Sequence, residues 1–236
     1  MIDIKRFIKE RDLSALTEKE ILEISKQFKN KGHHLKRVNA AIVKFGIDSK
    51  RVIDVGSGFG HCLMNFGKCS FGIEVAAYRV EFSKAIGLNV IEWDLNNETE
   101  LPLEDEAYDV IWASDILEHL HSPHRILKNL RKKLKPDGLL IAYVTTLPGG
   151  FLWKALWRKL FHLEGYKADA HLYQWTWETA SFLIEKTGFR VVDRYITPTG
   201  IIPLNWFLSK LFLKYFPSCT IAAVNNNQSE KAKIEI

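Results

Sequence analysis

Cysteine is scarce in this chain. There are three in 236 residues, Cys62, Cys69 and Cys219, and no two stand in C-x-x-C spacing. An odd, scattered set argues against a disulfide framework and fits reduced thiols in a cytoplasmic setting. Long apolar runs are also missing. The best candidate, IIPLNWFLSKLFLKYF at 201–216, is broken by Pro203, Lys210 and Lys214, so no membrane-spanning helix is expected. The opening MIDIKRFIKERD has no apolar core of a secretory signal. Charge is not one-sided either: 33 Lys and Arg face 28 Asp and Glu, a net +5 with a pI near 9.0. That balance tolerates an anionic partner without demanding one. The histidines make no metal set. His119, His121 and His124 do not align three imidazoles on one helical face, and no Cys or acid completes the group, so no metal is expected.

What the chain does contain is ordinary globular material. It is 47% hydrophobic and 26% charged, long enough for one full-sized domain with a real core. Residues 1–45 read as a helical segment. Thr17 and Glu20 have capping-box spacing, Ile21, Ile24 and Phe28 recur at helical period, and Leu35, Val38 and Ile42 do so in the next stretch. From residue 51 short apolar runs alternate with helical ones: RVIDV, SFGIEV, NVIEW, YDVIWAS and LLIAYVT, with VEFSKAIG and PHRILKNLRKKLK among the intervening helices. TASFLIEKTG leads into FRVVDRYIT, and CTIAAVN closes the series. Such alternation predicts a mainly parallel sheet with helices on both faces. Lys135-Pro136-Asp137-Gly138 reads as a turn before the fifth strand. The domain so defined covers 46–227, with lid-like insertions near 148–170 and 198–217 and a polar tail at 228–236.

The most informative stretch is VIDVGSGFG, residues 52–60. A buried-strand pattern runs directly into Gly56, Gly58 and Gly60. Gly56 permits a tight turn, Gly58 removes a Cβ where a ligand approaches the backbone, and Gly60 relieves the start of a following helix. A glycine-rich turn without a ligand is the plain alternative. The spacing is G-x-G-x-G; a dinucleotide fingerprint, G-x-G-x-x-G, places its third glycine at position 61, where this chain has His61. An acid, Asp54, precedes the first glycine by two residues.

D-x-G-x-G-x-G resembles the first motif of class I S-adenosylmethionine-dependent methyltransferases. Three later features extend the resemblance over about residues 50–145. Acids stand at the ends of the second and third strands, Glu74 in GIEV and Asp94 in IEWDL. LPLEDEAYDVIWASDILEHL, residues 101–120, is similar to the fourth-strand region of the small-molecule branch, with Tyr108 for the usual Phe, and KPDGLLIAYV matches the fifth strand. The resemblance implies a Rossmann-like, doubly wound, seven-stranded sheet ordered 3-2-1-4-5-7-6, its last strand antiparallel. It implies S-adenosylmethionine as cofactor, held by Asp54, Gly56, Gly58, Gly60, Glu74, Asp94 and Leu95. Glu74 would accept the ribose hydroxyls, Asp94 the adenine amino group, and Leu95 would donate from its backbone. A nucleotide-dependent oxidoreductase and a non-catalytic adenosine-binding protein stand as alternatives.

No residue type is obligatory for the acceptor, because the sulfonium leaves readily and positioning dominates. Asp115, His119 and His121 follow the fourth strand and are candidates if a base is needed; His119 also suits a tether at a helix start. His33, His34, Lys36 and Arg37 lie upstream, from where members of the family close the cofactor site; a solvated helix end is the alternative. Nucleic-acid acceptors are disfavoured: SDIL replaces an N-P-P-[YF] motif, and no Cys lies near the fourth strand. FLWKALWRKLFH (151–162) and NWFLSKLFLKYF (205–216) carry Lys154 and Arg158, and Lys210 and Lys214, opposite apolar faces. They read as a lid or a homodimer contact, or else as a contact with a membrane surface or lipid-linked acceptor. The expected partner is a small-molecule, saccharide or lipid-like acceptor.

Overall fold

A computed structural model describes residues 16–29, 33–97, 100–146, 171–196 and 218–226. The stretches 151–162 and 205–216, the proposed insertions around them and the tail lie outside those residues. The backbone contacts divide the chain into two compact units, 1–97 with 108–110, and 98–107 with 111–236. Seven strands form one sheet in the order β3-β2-β1-β4-β5-β7-β6. They are β1 (Val52–Val55), β2 (Phe71–Glu74), β3 (Val90–Glu92), β4 (Tyr108–Ser114), β5 (Leu134–Thr145), β6 (Phe189–Tyr195) and β7 (Ser218–Asn225). β1, β2 and β3 pair in parallel, while β7 runs antiparallel to both β5 and β6. The expected order and the antiparallel last strand are both present. No described helix is long and apolar enough to cross a membrane.

In the first unit, α1 (Glu18–Lys29) and α2 (His33–Phe45) precede β1. The capping box is real: the Thr17 amide donates to Glu20 Oε2 at 2.8 Å and the Glu20 amide to Thr17 Oγ1 at 3.4 Å. The Thr17 amide, together with the Thr17 hydroxyl, which donates to the same Oε2 at 2.8 Å, holds the Glu20 carboxyl below its ordinary range. Ile24 is fully buried against Phe59 and Phe82, with Ile21 packed at the margin. Burying such a side chain contributes about 1.5–3 kcal/mol, so the α1 stripe docks on the ring cluster rather than facing water. All four residues of β1 are buried, as a strand with neighbours on both sides requires. α3 (Ala77–Ala85) follows β2.

Two expectations are corrected. No α-helix follows the glycine loop; a single 3-10 turn, Leu63–Asn65, takes its place. The chain is tied back almost at once, because the Gly67 amide donates to the Lys50 carbonyl at 3.2 Å and β2 begins at Phe71. Too few residues remain for a helix of useful length. Likewise Lys135-Pro136-Asp137-Gly138 is not a turn outside the strand. β5 starts at Leu134 and runs through it, with Asp137 at φ +63° and pairing to β7 from Leu139.

In the second unit α4 (Pro123–Lys133) and α5 (Trp177–Lys186) flank β5, β6 and β7. Pro123 at the first helical position has no amide to leave unpaired. At the other end of α4 the buried Asn225 side chain donates to the Arg131 and Leu134 carbonyls, both orphan helix-end acceptors, at 3.5 Å each, and to the Lys135 carbonyl of β5 at 3.2 Å. Thr176 caps α5, accepting from the Thr179 amide at 3.2 Å.

Candidate functional site

The loop after β1 is built by hydrogen bonds to β2. The Gly56 and Ser57 amides both donate to the Ile73 carbonyl, at 2.9 and 3.0 Å. Gly56, Gly58 and Gly60 have φ of +70°, +58° and +78°, the left-handed region that penalises a Cβ. Their surroundings differ. A Cβ on Gly58 would meet nothing within 4 Å, so that face of the backbone is open. A Cβ on Gly60 would overlap the Leu88 side chain. Gly60 thus serves the left-handed backbone of the loop and leaves room for the tip of Leu88; it does not start a helix.

Glu74 ends β2 and is 4% exposed. Its Oε2 accepts from the Gly58 amide and its Oε1 from the Ala76 amide, each at 2.9 Å. One carboxylate thus clasps the glycine loop and the start of α3 together. Arg79 Nη1 lies 3.5 Å from Oε1. The Arg79 guanidinium also covers the Phe59 and Tyr78 rings at 5.5 and 5.6 Å, and its Nε donates to Tyr78 Oη at 3.1 Å. Arg79 escaped notice in the sequence. The available signal was a cation on the first turn of the helix after an acid-ended strand. Val75, beside Glu74, is 60% exposed and apolar, and was missed as well.

Asp54 lies inside β1, 3% exposed, and its Oδ2 is buried with no hydrogen-bond partner among the described residues. Burial raises its pKa to about 7; a hydrogen bond from the Leu63 amide opposes this, and the Glu74 charge adds to it. Asp94 sits two residues past β3 with an exposed side chain whose Oδ1 accepts from the Asn96 amide at 2.9 Å. The Trp93 amide donates to the Glu74 carbonyl at 2.9 Å, which brings Asp94 and the buried Leu95 to the same end of the sheet as Glu74. From α2, His34 places its ring 5.8 Å from that of His61 in the loop, and Arg37 is buried.

In the second unit, Asp115 follows β4 at φ +52°, its amide donating to the Tyr143 carbonyl at 3.0 Å. Glu118 is fully buried. Its Oε1 accepts from the Thr145 amide at 3.4 Å, and its Oε2 has no hydrogen-bond partner among the described residues. Burial, reinforced by the Asp115 charge, holds its pKa up. The Glu118 carbonyl accepts from the Leu172 and Tyr173 amides at 2.8 and 3.3 Å, and the Tyr173 hydroxyl donates to the His121 carbonyl at 3.0 Å. This fastening brings His171 to His119, rings 4.7 Å apart and nearly perpendicular. His171 lies some fifty residues downstream, beyond any local pattern.

A family described as a methyltransferase domain matches residues 16–194. Ubiquinone biosynthesis O-methyltransferase of Glaesserella parasuis serovar 5 (strain SH0165) is 26% identical over 151 residues, covering 55% of this chain and 64% of that protein. This chain therefore spans just under two thirds of that relative's length. The protein of the same name from Pasteurella multocida (strain Pm70) is 25% identical over 197 residues, 72% of this chain and 80% of its own. Among solved structures, a SAM-dependent methyltransferase from Thermotoga maritima matches with a TM-score of 0.59 and 20% identity, over 94% of this chain and 98% of that one.

Proposed function

The chain belongs to the class I S-adenosylmethionine-dependent methyltransferases, and from that premise we propose that it methylates a hydroxyl on a small-molecule or lipid-like acceptor. The observation that supports the cofactor's position best is the Glu74 clasp beside the open face of Gly58. A carboxylate has about four lone-pair sites. The Gly58 and Ala76 amides use two, which leaves acceptor capacity for two ribose hydroxyls. The bare Gly58 backbone admits close approach, and exposed Val75 offers an apolar contact for the adenine face. Asp94 accepts from the adenine amino group, and the Leu95 amide, with no protein acceptor among the described residues, donates to the ring. Gly56 and Gly60 set the loop's path, and Asp54 supplies charge beneath it.

S-adenosylmethionine provides an electrophilic methyl group on a sulfonium. The chain's work is then to bind, orient and exclude water, so that the acceptor oxygen meets that methyl in line. A hydroxyl keeps its proton at neutral pH, so an oxygen acceptor calls for a base to receive it. The oxygen acceptor is favoured by the names of two of the curated relatives, each an O-methyltransferase. A lipid-like acceptor is favoured by the aromatic-basic stretches 151–162 and 205–216.

Calorimetry with S-adenosylmethionine, its demethylated product and NAD tests the cofactor; the expected result is micromolar-range binding of the first two and none of NAD. Incubating cell extract with methyl-labelled cofactor and identifying the labelled product tests the acceptor. Label on nitrogen or on nucleic acid would reject the hydroxyl reading. Sedimentation with anionic and neutral vesicles tests the lipid reading, which requires anionic-selective, salt-sensitive binding.

A further inference from the structure

Helix α3 begins against local preference. Ala76 at its N-cap has no side-chain acceptor, and no acid stands in the first turn. The third helical position, where Glu or Gln would close a capping box, is Arg79. A cation there also meets the positive end of the helix dipole. The stability of α3 therefore does not account for Arg79. Its contacts outside the helix backbone do. Nη1 stands 3.5 Å from Oε1 of Glu74, the oxygen that takes the Ala76 amide at 2.9 Å. The guanidinium covers the Phe59 ring at 5.5 Å and the Tyr78 ring at 5.6 Å, and Nε donates to Tyr78 Oη at 3.1 Å. Phe59 is the large side chain between Gly58 and Gly60, both left-handed. It is 7% exposed and meets Tyr78 and Phe82 edge-on, with centroids 5.8 and 5.5 Å apart. The loop is thus tied to α3 by the Phe59 ring and to β2 by the bond from the Gly58 amide to Glu74. Arg79 touches both ties.

On the reading that Glu74 receives the cofactor ribose, we propose that Arg79 is a positioning residue of the cofactor site. It holds the Glu74 carboxylate and the Phe59 end of the loop in one arrangement before the ligand arrives. Its charge offsets an anion that is only 4% exposed. Its flat guanidinium, spread over two rings and fixed at Nε, holds a single orientation, which a flexible ammonium would not. Arg79 acts through Glu74 and needs no contact with the ligand. A residue that opposes its own helix and orders a binding acid trades local consistency for preorganisation.

Calorimetry with S-adenosylhomocysteine and denaturant titration on the same protein samples test this. Arg79→Gln puts a capping-box side chain at the third helical position. Folding stability should hold or rise, while affinity for S-adenosylhomocysteine falls about tenfold. Arg79→Lys keeps the charge, loses the flat stack and should bind with intermediate affinity. In a Glu74→Ala background, Arg79→Gln should cost no further affinity, because the residue acts through that carboxylate. Stability that falls together with affinity in Arg79→Gln would make the residue a structural prop and overturn the proposal. The same loss of affinity with and without Glu74 overturns it too. Glu74→Ala separates the two levels of failure. Binding that ignores Glu74→Ala fails the placement of the cofactor itself; binding that needs Glu74 but ignores Arg79→Gln fails Arg79 alone.

Discussion

Asp54 and Glu118 are both buried acids with one oxygen lacking a hydrogen-bond partner among the described residues, and both have raised pKa values. Their surroundings were assembled in different ways. Around Asp54 the partners come from a short span: the loop, the turn at Leu63 and the end of β2. Around Glu118 they come from Thr145 and from a segment at 171–173, far along the chain. The first region is a backbone cradle, with glycine conformations and amides aimed at one carboxylate. The second is a side-chain cluster, with rings and hydroxyls brought in on a returning strap. A backbone cradle is fixed by conformations set within a few residues, whereas the side-chain cluster depends on a segment distant in the chain.

Gly58→Val tests the cradle most severely. A branched side chain at φ +58° is strained and would fill the open face, so affinity for S-adenosylmethionine should fall by more than about 100-fold. Folding stability should fall by about 1–2 kcal/mol from backbone strain alone, since no neighbouring atom stands within 4 Å of the new Cβ. Normal binding by calorimetry would mean that the cradle holds nothing.

Glu74→Gln sharpens the same side. Both carboxylate oxygens accept amides, so the variant must turn an NH2 toward Gly58 or Ala76. Cofactor affinity should drop by about 2–3 kcal/mol, nearly as much as in Glu74→Ala. A Gln variant that binds like the wild type would show the clasp to be dispensable.

The two buried acids predict how stability varies with pH. The unfolded chain ionises Asp54 near 3.8 and the folded chain near 7. The unfolded state therefore binds fewer protons across that window, and stability declines as pH rises through it. Asp54→Asn should match the wild type near pH 4 and exceed it by about 4 kcal/mol at pH 8 in denaturant titrations. Glu118→Gln should act in the same direction. A wild type that grows more stable from pH 4 to 8, with no gain in either variant, would contradict both assignments.

The smallest expected effect is on the strap. Tyr173→Phe removes the hydroxyl that donates to the His121 carbonyl at an exposed site, which should cost about 0.5–1 kcal/mol. Hydrogen exchange at Leu172 and Tyr173 should rise while cofactor affinity stays constant. Lost cofactor affinity would tie the strap to the cradle and blur the contrast between the two regions.

Much of the cradle was legible before any coordinates. Three glycines at alternate positions after VIDV announce left-handed backbone, because only glycine adopts it freely in succession. Acids closing GIEV and IEWDL mark strand ends, and strand ends in a parallel sheet face the ligand. The capping box at Thr17 and Glu20 and the buried stripe at Ile24 were equally readable, since both depend on spacing within one or two turns. The errors have a common source. The helix expected after the glycine loop and the turn expected at 135–138 were inferred from local preference, and tertiary hydrogen bonds overrode it.

By itself, then, the order of residues determined the alternation of strands and helices, the strained loop and which acids end which strands, for these follow from local conformational preference and hydrophobic period. Only the tertiary structure decided that Glu74 clasps Gly58 and Ala76, that Arg79 covers Phe59 beside it, that Leu88 lies against Gly60, and that His171 meets His119. Those contacts depend on strand register and on where distant segments return, and neither quantity is encoded within a span short enough to read from neighbours.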